Sequence, residues 1–336
     1  MTQYETPEKP PQAVSRLGLY LPTGLLLLLA LGWSVFWFFA AKKADETLSA
    51  WMATEKAAGR TWECAGKDIG GYPFRIELHC NSVTFTSANM RMQSGLLHAA
   101  TQIYSPKLLL ADINGPLQIE SAGVRNHFAW NNMRISLRFD RELERFSMNI
   151  SEFKGGDGAE PAAFGAKIIE LHLRTDTGRP SDDRAVDIAL NINEMRAPAL
   201  DELLNNRDLG ALSLSGTMTQ ATSLRAGSWQ SLLETWRGQN GQLFLENIRM
   251  AKGTFVLEGK GVLGLDGMHR AQGEMMVGTR GVGPVIARFV SGNAAQLAGA
   301  LLERKDGSMV QLPLRMQEGR LSFGPLRTGT ILAPLY

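Results

Sequence analysis

Residues 17–41, LGLYLPTGLLLLLALGWSVFWFFAA, run for 25 positions without a charge. As a helix this stretch rises about 37 Å at 1.5 Å per residue, whereas a bilayer core is roughly 30 Å thick. It is long enough to cross, slightly tilted. A cleaved signal peptide carries a shorter apolar region, about 7 to 15 residues, followed by small residues at the cleavage site. Here the run is longer and ends Phe38-Phe39-Ala40-Ala41-Lys42-Lys43. An uncleaved transmembrane helix is therefore expected, with Trp33, Trp37, Phe38 and Phe39 thickening its distal interface.

That segment divides the chain. Residues 1–16 are polar and Pro-rich, the composition of a disordered cytoplasmic tail. Residues 42–60 are Ala-rich and lack Pro, with Leu48, Trp51, Met52 and Glu55 at helical spacing, so a membrane-proximal helix is expected to continue the anchor up to Gly59. Residues 61–336 form the large domain, with candidate halves 61–195 and 196–336. Lys9 and Arg16 before the span nearly balance Lys42 and Lys43 after it, so charge does not orient the anchor. The cysteines do. Cys64 and Cys80, the two in the chain, both lie in the large domain, as an oxidising compartment permits. The expected placement is a single-pass inner-membrane protein with a periplasmic domain.

From Phe74 the apolar period becomes 2: Phe74, Ile76, Leu78 and Cys80 oppose Arg75, Glu77 and His79. The alternation recurs at Met133, Ile135, Leu137 and Phe139, at Phe146, Met148 and Ile150, at Ile169, Leu171 and Leu173, and at Val186, Ile188, Leu190 and Ile192. It continues in shorter runs to Leu321 and Phe323. The fold class is mainly β: a long antiparallel, half-open, groove-forming sheet with one apolar face and a few helices. Helices are expected at 198–204, at 227–238 with Ser228 as N-cap, and at 284–304.

Catalytic constellations are not apparent. The histidines (79, 98, 127, 172, 269) are scattered without zinc-ligand spacing, and no metal or other cofactor is expected. Gly259-Lys260-Gly261-Val262-Leu263-Gly264 has the letters of a dinucleotide loop but sits in a strand pattern with no helix after it. Lys and Arg total 35 against 33 Asp and Glu, so no basic excess points to nucleic acid. In CAGKDIGGYPFRIELHC (64–80) the cysteines are too far apart for a redox pair and too few for zinc. A structural disulfide between Cys64 and Cys80 fits best. Gly70 and Gly71 supply unusual backbone angles, Pro73 keeps Tyr72 extended, and Phe74 is expected to turn into the core. Arg75 is a candidate lipid-headgroup contact, or else the partner of Glu77.

The anchor, Trp62-x-Cys64, Gly71-Tyr72-Pro73-Phe74-Arg75-Ile76, Cys80 and the closing Pro334-Leu335-Tyr336 resemble a domain-of-unknown-function family of membrane-anchored envelope proteins from Gram-negative bacteria. The later part, with Gly241-Gln242-Leu243-Phe244-Leu245 and Gly261-Val262-Leu263-Gly264-Leu265-Asp266, is similar in style to AsmA-like proteins. That resemblance implies a half-open sheet whose concave face holds acyl chains. The expected role is non-enzymatic: binding or transfer of phospholipid or another acyl lipid in envelope biogenesis, at the inner membrane. The alternative is an envelope scaffold that docks a protein partner and has no ligand cavity.

Overall fold

The computed structural model describes residues 17–121, 123–140, 143–157, 162–221, 229–282, 308–324 and 326–336. The tail before Leu17, the Ser228 cap and the expected helix at 284–304 lie outside the described residues. Helix α1 (Leu17–Ala57) is one unbroken rod of 41 residues, about 60 Å long. The two helical segments expected from the sequence, 17–41 and 42–60, are thus one continuous helix as far as Ala57.

Among the described residues twenty antiparallel strands form a single sheet. In chain order they are β1 (Thr61–Ala65), β2 (Asp68–Gly70), β3 (Arg75–Cys80), β4 (Ser82–Ser87), β5 (Met90–Ser94), β6 (Leu97–Gln102), β7 (Ser105–Ile113), β8 (Leu117–Ser121), β9 (Val124–Ala129) and β10 (Asn132–Phe139). Next come β11 (Leu143–Gly156), β12 (Phe164–Thr175), β13 (Val186–Met195), helix α2 (Pro198–Leu204), β14 (Gly210–Met218) and helix α3 (Trp229–Gly238). The sheet ends with β15 (Leu243–Lys252), β16 (Phe255–Leu265), β17 (Ala271–Arg280), β18 (Val310–Gln317), β19 (Arg320–Phe323) and β20 (Leu326–Ile331).

From β11 to β20 each strand pairs with the next in sequence. Before β11 the sheet forks. The first half of β11 pairs with β10 and its end pairs with β9. One arm runs β10-β7-β6-β3-β2, the other β9-β8-β5-β4-β1. The chain crosses between the arms after β1, β3, β5, β7 and β9, along one seam. Backbone bonds carry the ladder across it: Asn81 N–H to Ala65 O at 2.8 Å, Asn114 N–H to Leu96 O at 2.8 Å, and Asn131 N–H to Ser151 O at 3.0 Å. Trp130 is buried there and donates its indole N–H to Ile113 O. Gly95 is needed at the seam because a Cβ would stand 2.7 Å from Asn114 O.

Register turns local alternation into a continuous surface, because directly opposed residues of an antiparallel pair share a face. Leu78, Ala99, Ala111, Ile135, Met148, Leu171, Leu190, Leu214 and Ile248 stand opposite one another from β3 to β15. A second row runs from Cys80 through Leu97, Ile113, Met133, Ile150, Ile169, Ile192 and Leu212 to Met250. A third starts at Ile76, crosses Thr101, and passes Leu109, Leu137, Phe146, Leu173 and Ile188. On the opposite face lies a polar row: His79, His98, Asp112, Arg134, Asn149, Glu170, Asn191, Ser213, Arg249 and Glu258. Most of the apolar rows are half-buried. Full burial occurs at Cys80 and Ile150 and at a cluster of Leu245, Met275 and Val277.

Two expectations change. Phe74 does not enter the core: it is 57% exposed, and the strand begins one residue later at Arg75. Between residues 82 and 129 the structure forms six strands, β4 to β9, where alternation suggested none. Their buried-side positions include Thr, Ser and Ala, which fit a pleated surface without marking it as apolar.

The chain ends in a clamp. Leu335 N–H bonds His269 O, Tyr336 stacks on His269 at 4.4 Å, and the Tyr336 hydroxyl donates to Glu234 of α3 at 2.8 Å. Hydrogen bonds from Arg237 and then from Tyr336 pull the Glu234 carboxyl down to about 2. A depressed carboxylate stabilises the fold above its unfolded value, near 4.5, and that contribution disappears as pH falls through its folded value. The melting-temperature gap between the parent chain and Glu234→Gln should therefore be constant from neutral pH to about 5, shrink below that, and vanish near 2. Thermal melts across that range measure it.

Candidate functional site

The residues singled out in the sequence gather where α1 meets β3. Trp33, Ser34 and Trp37 lie on one stripe of α1 and face the turn before β3. Trp33 donates its indole N–H to Pro73 O at 2.8 Å, and Trp37 donates to Arg75 O at 2.7 Å. Ser34 and the Tyr72 hydroxyl share a 2.8 Å hydrogen bond. Trp37 is buried, its ring edge-on to Tyr72 at 5.5 Å, while Phe74 tilts against Trp33 at 5.9 Å. Burying one such ring contributes about 1.5–3 kcal/mol and each indole bond about 1 kcal/mol.

Gly71 makes the turn possible. It sits at φ +98°, and a Cβ there would come within 2.9 Å of Arg75 O and the Glu77 side chain. The Arg75 N–H closes the turn on Gly71 O at 2.9 Å. The Tyr72–Pro73 peptide is cis. Tyr72 and Phe74 remain more than half exposed, and Tyr104 protrudes from the β6–β7 hairpin at the same end of its arm.

Farther along, α1 touches the other arm. Trp51 packs on Trp62 of β1 at 5.7 Å, and Trp62 packs on Phe85 of β4 at 4.6 Å. Between these two contacts Lys67, at the seam, pairs with Asp45 of α1 at 2.5 Å. The helix is thus fixed to both arms.

Cys64 and Cys80 form the expected disulfide. Cys64 lies on β1 and Cys80 on β3, strands of different arms that do not pair, so the bond staples the fork shut at the end nearest α1. Arg75, the candidate headgroup contact, is 64% exposed in its side chain, and its guanidinium stands 3.5 Å from Glu77 Oε1. The i,i+2 partner weighed from the sequence is present, and the guanidinium still reaches solvent.

Sequence spacing did not bring His98 to this place. In the register His98 of β6 is directly opposite His79 of β3, with rings stacked at 4.3 Å, and Glu77 Oε2 is 3.7 Å from His79 Nε2 and 3.6 Å from His98 Nε2. The signal was the Leu97-His98-Ala99 alternation, too short and too weakly apolar to mark a strand by itself. His127, His172 and His269 lie on other strands and turns. Gly259–Gly264 lies within β16, paired on both sides, with no helix following.

A family model described as "Uncharacterized protein conserved in bacteria (DUF2125)" matches residues 37–331. No curated protein and no solved structure matches. The similarity to AsmA-like proteins is not shown by these comparisons and rests on pattern alone.

Reduction of the disulfide should cost about 3 kcal/mol of unfolding free energy, the chain-entropy value for a loop of this size. Denaturant titration with and without reductant reads it directly. Trp37→Phe, which keeps the ring and loses the bond to Arg75 O, should cost about 1 kcal/mol, and Trp37→Ala about 3–5 kcal/mol, in the same assay.

Proposed function

The chain belongs to that family of uncharacterized bacterial proteins, and from this premise we propose that it is a non-catalytic, membrane-anchored lipid-binding or lipid-transfer protein of the cell envelope. Its anchor lies in the inner membrane and its sheet in the periplasm. One observation carries the reading: two apolar rows begin at Leu78 and Cys80, beside α1, a third joins them from Leu109, and they continue across the sheet with most of their side chains half-buried. From β3 to β18 there are eleven strand spacings of about 4.8 Å, roughly 50 Å in all. An acyl chain lying on such a face leaves water without requiring a closed cavity, and its headgroup stays at the solvated margin.

The junction supplies a starting point. α1 is apolar enough to span a bilayer, and Trp33 and Trp37 tie the first turn of the sheet to it near the end of the uncharged run. Exposed Tyr72 and Phe74 then sit at headgroup depth, where aromatic rings are favoured. The exposed Arg75 guanidinium is placed to meet a phosphate.

The reading is tested on the full-length chain purified in detergent, by mass spectrometry of bound lipid. Phospholipid should co-purify, and Leu137→Glu with Leu171→Glu, which puts two charges into the apolar rows, should lower the bound amount at least about tenfold by the cost of desolvating them. Circular dichroism on the same samples reports whether the sheet is intact. A parent chain without lipid, or a folded variant carrying as much as the parent, overturns the proposal in favour of a protein-docking scaffold. Placement is tested separately: an alkaline phosphatase fusion after Arg60 should be active, and inactivity puts the domain in the cytoplasm.

A further inference from the structure

We infer that Glu77, His79 and His98 form a binding site for a divalent transition-metal ion, with zinc as the best match. The three ligand atoms lie within 4.8 Å of one another. Both His Nε2 atoms face the same carboxylate oxygen, Glu77 Oε2, at 3.7 and 3.6 Å. In a tetrahedral zinc site with bonds of about 2.0–2.1 Å, ligand atoms stand about 3.3–3.4 Å apart. Each imidazole nitrogen therefore needs to move only a few tenths of an ångström relative to Glu77 Oε2, while the two rings, now stacked at 11°, have to turn so that both lone pairs converge on the ion.

The state of His98 Nε2 points to a ligand. That atom is buried and has no hydrogen-bond partner, while Glu77 Oε2 is close but beyond bonding distance. A buried polar atom without a partner is costly, and a metal ion supplies one. Two imidazoles and one carboxylate favour zinc and its neighbours over magnesium or calcium, which take oxygen ligands.

The scaffold suits such a site. His79 and Glu77 are two apart on β3 and so project on one side, and His98 is opposite His79 on β6. Cross-strand pairing fixes all three backbones, and the disulfide at Cys80 adjoins His79. Arg75 competes for Glu77, but it holds the other oxygen, Oε1, and its side chain is largely exposed. Displacing it opens a route to the carboxylate. With three protein ligands, a fourth position is left for water or a ligand atom from solution.

The site is independent of the lipid reading and is tested with zinc alone. The full-length, metal-stripped protein in detergent should take up one zinc ion per chain in competition with a chromophoric chelator. His98→Gln and His79→Gln should each weaken binding more than about a hundredfold, beyond the 10–100-fold seen for residues that only support ligands. His127→Gln, on the other arm, should bind as the parent does. Cobalt substituted into the same protein should show a ligand-field spectrum that His98→Gln abolishes. Melting curves and thiol alkylation establish that each variant keeps its fold and disulfide. Failure of the folded parent to hold zinc, or equal affinity in folded His98→Gln, overturns the site and leaves the stacked histidines as cross-strand packing.

Discussion

Register is the constraint from which the rest of this structure follows. A strand that slipped by one residue would turn its apolar side chains to the opposite face. Here β3, β6, β7, β10 and β11 to β15 keep step, so that Ile135 meets Met148, Met148 meets Leu171, and Leu171 meets Leu190. Apolar residues that would be half-exposed separately become one surface, and the charged residues between them become another. The second surface neutralises itself: Arg134 pairs with Asp112 at 3.0 Å, Arg174 with Asp187 at 2.7 Å, and Arg249 with Glu258. Such exposed pairs each add little stability. Their larger effect is on choice of alignment, since a shifted strand would set like charges together.

The long strands were legible in the sequence because their alternation is sustained. Met133 to Phe139, Phe146 to Ile150 and Val186 to Ile192 all appear as strands, although Phe139, at a register shift against β11, is exposed rather than turned inward. The short helix at 198–204 was marked by Pro198 at its start. The fork was not legible. It depends on which strands pair across the seam, β3 with β6 and β5 with β8 rather than with their immediate successors, and no local pattern encodes that choice. The junction was half legible. Gly71, Pro73 and the cysteines mark a constrained turn, yet its partners Trp33 and Trp37 lie about forty positions earlier, in a segment whose composition speaks only of a membrane. Phe74 shows the same limit: alternation assigned it to the core, but its place is set by the helix beside it.

Helix and sheet are matched by three unlike contacts. Indole N–H groups meet backbone carbonyls at one level of α1, an ion pair holds the seam, and tilted Trp51 and Trp62 rings hold the second arm. A rigid rod so attached cannot pivot against the sheet without breaking several interactions at once. The disulfide fixes the same corner covalently, although β1 and β3 are not neighbours in the ladder. Any displacement of the helix is passed directly to the first strands.

The meander also orders events in time. After β11 every strand pairs with the one synthesised immediately before it, and in the forked part such neighbours (β2–β3, β4–β5, β6–β7, β8–β9) alternate with strands that pair three back: β4 with β1, β6 with β3, β8 with β5 and β10 with β7. Such a chain can add strands in the order in which it emerges, each finding its template already in place, with little loop-closure cost. Tyr336 departs from this order: it reaches back 102 positions to Glu234, so α3 and the turn at His269 wait for a partner that is added long after they are.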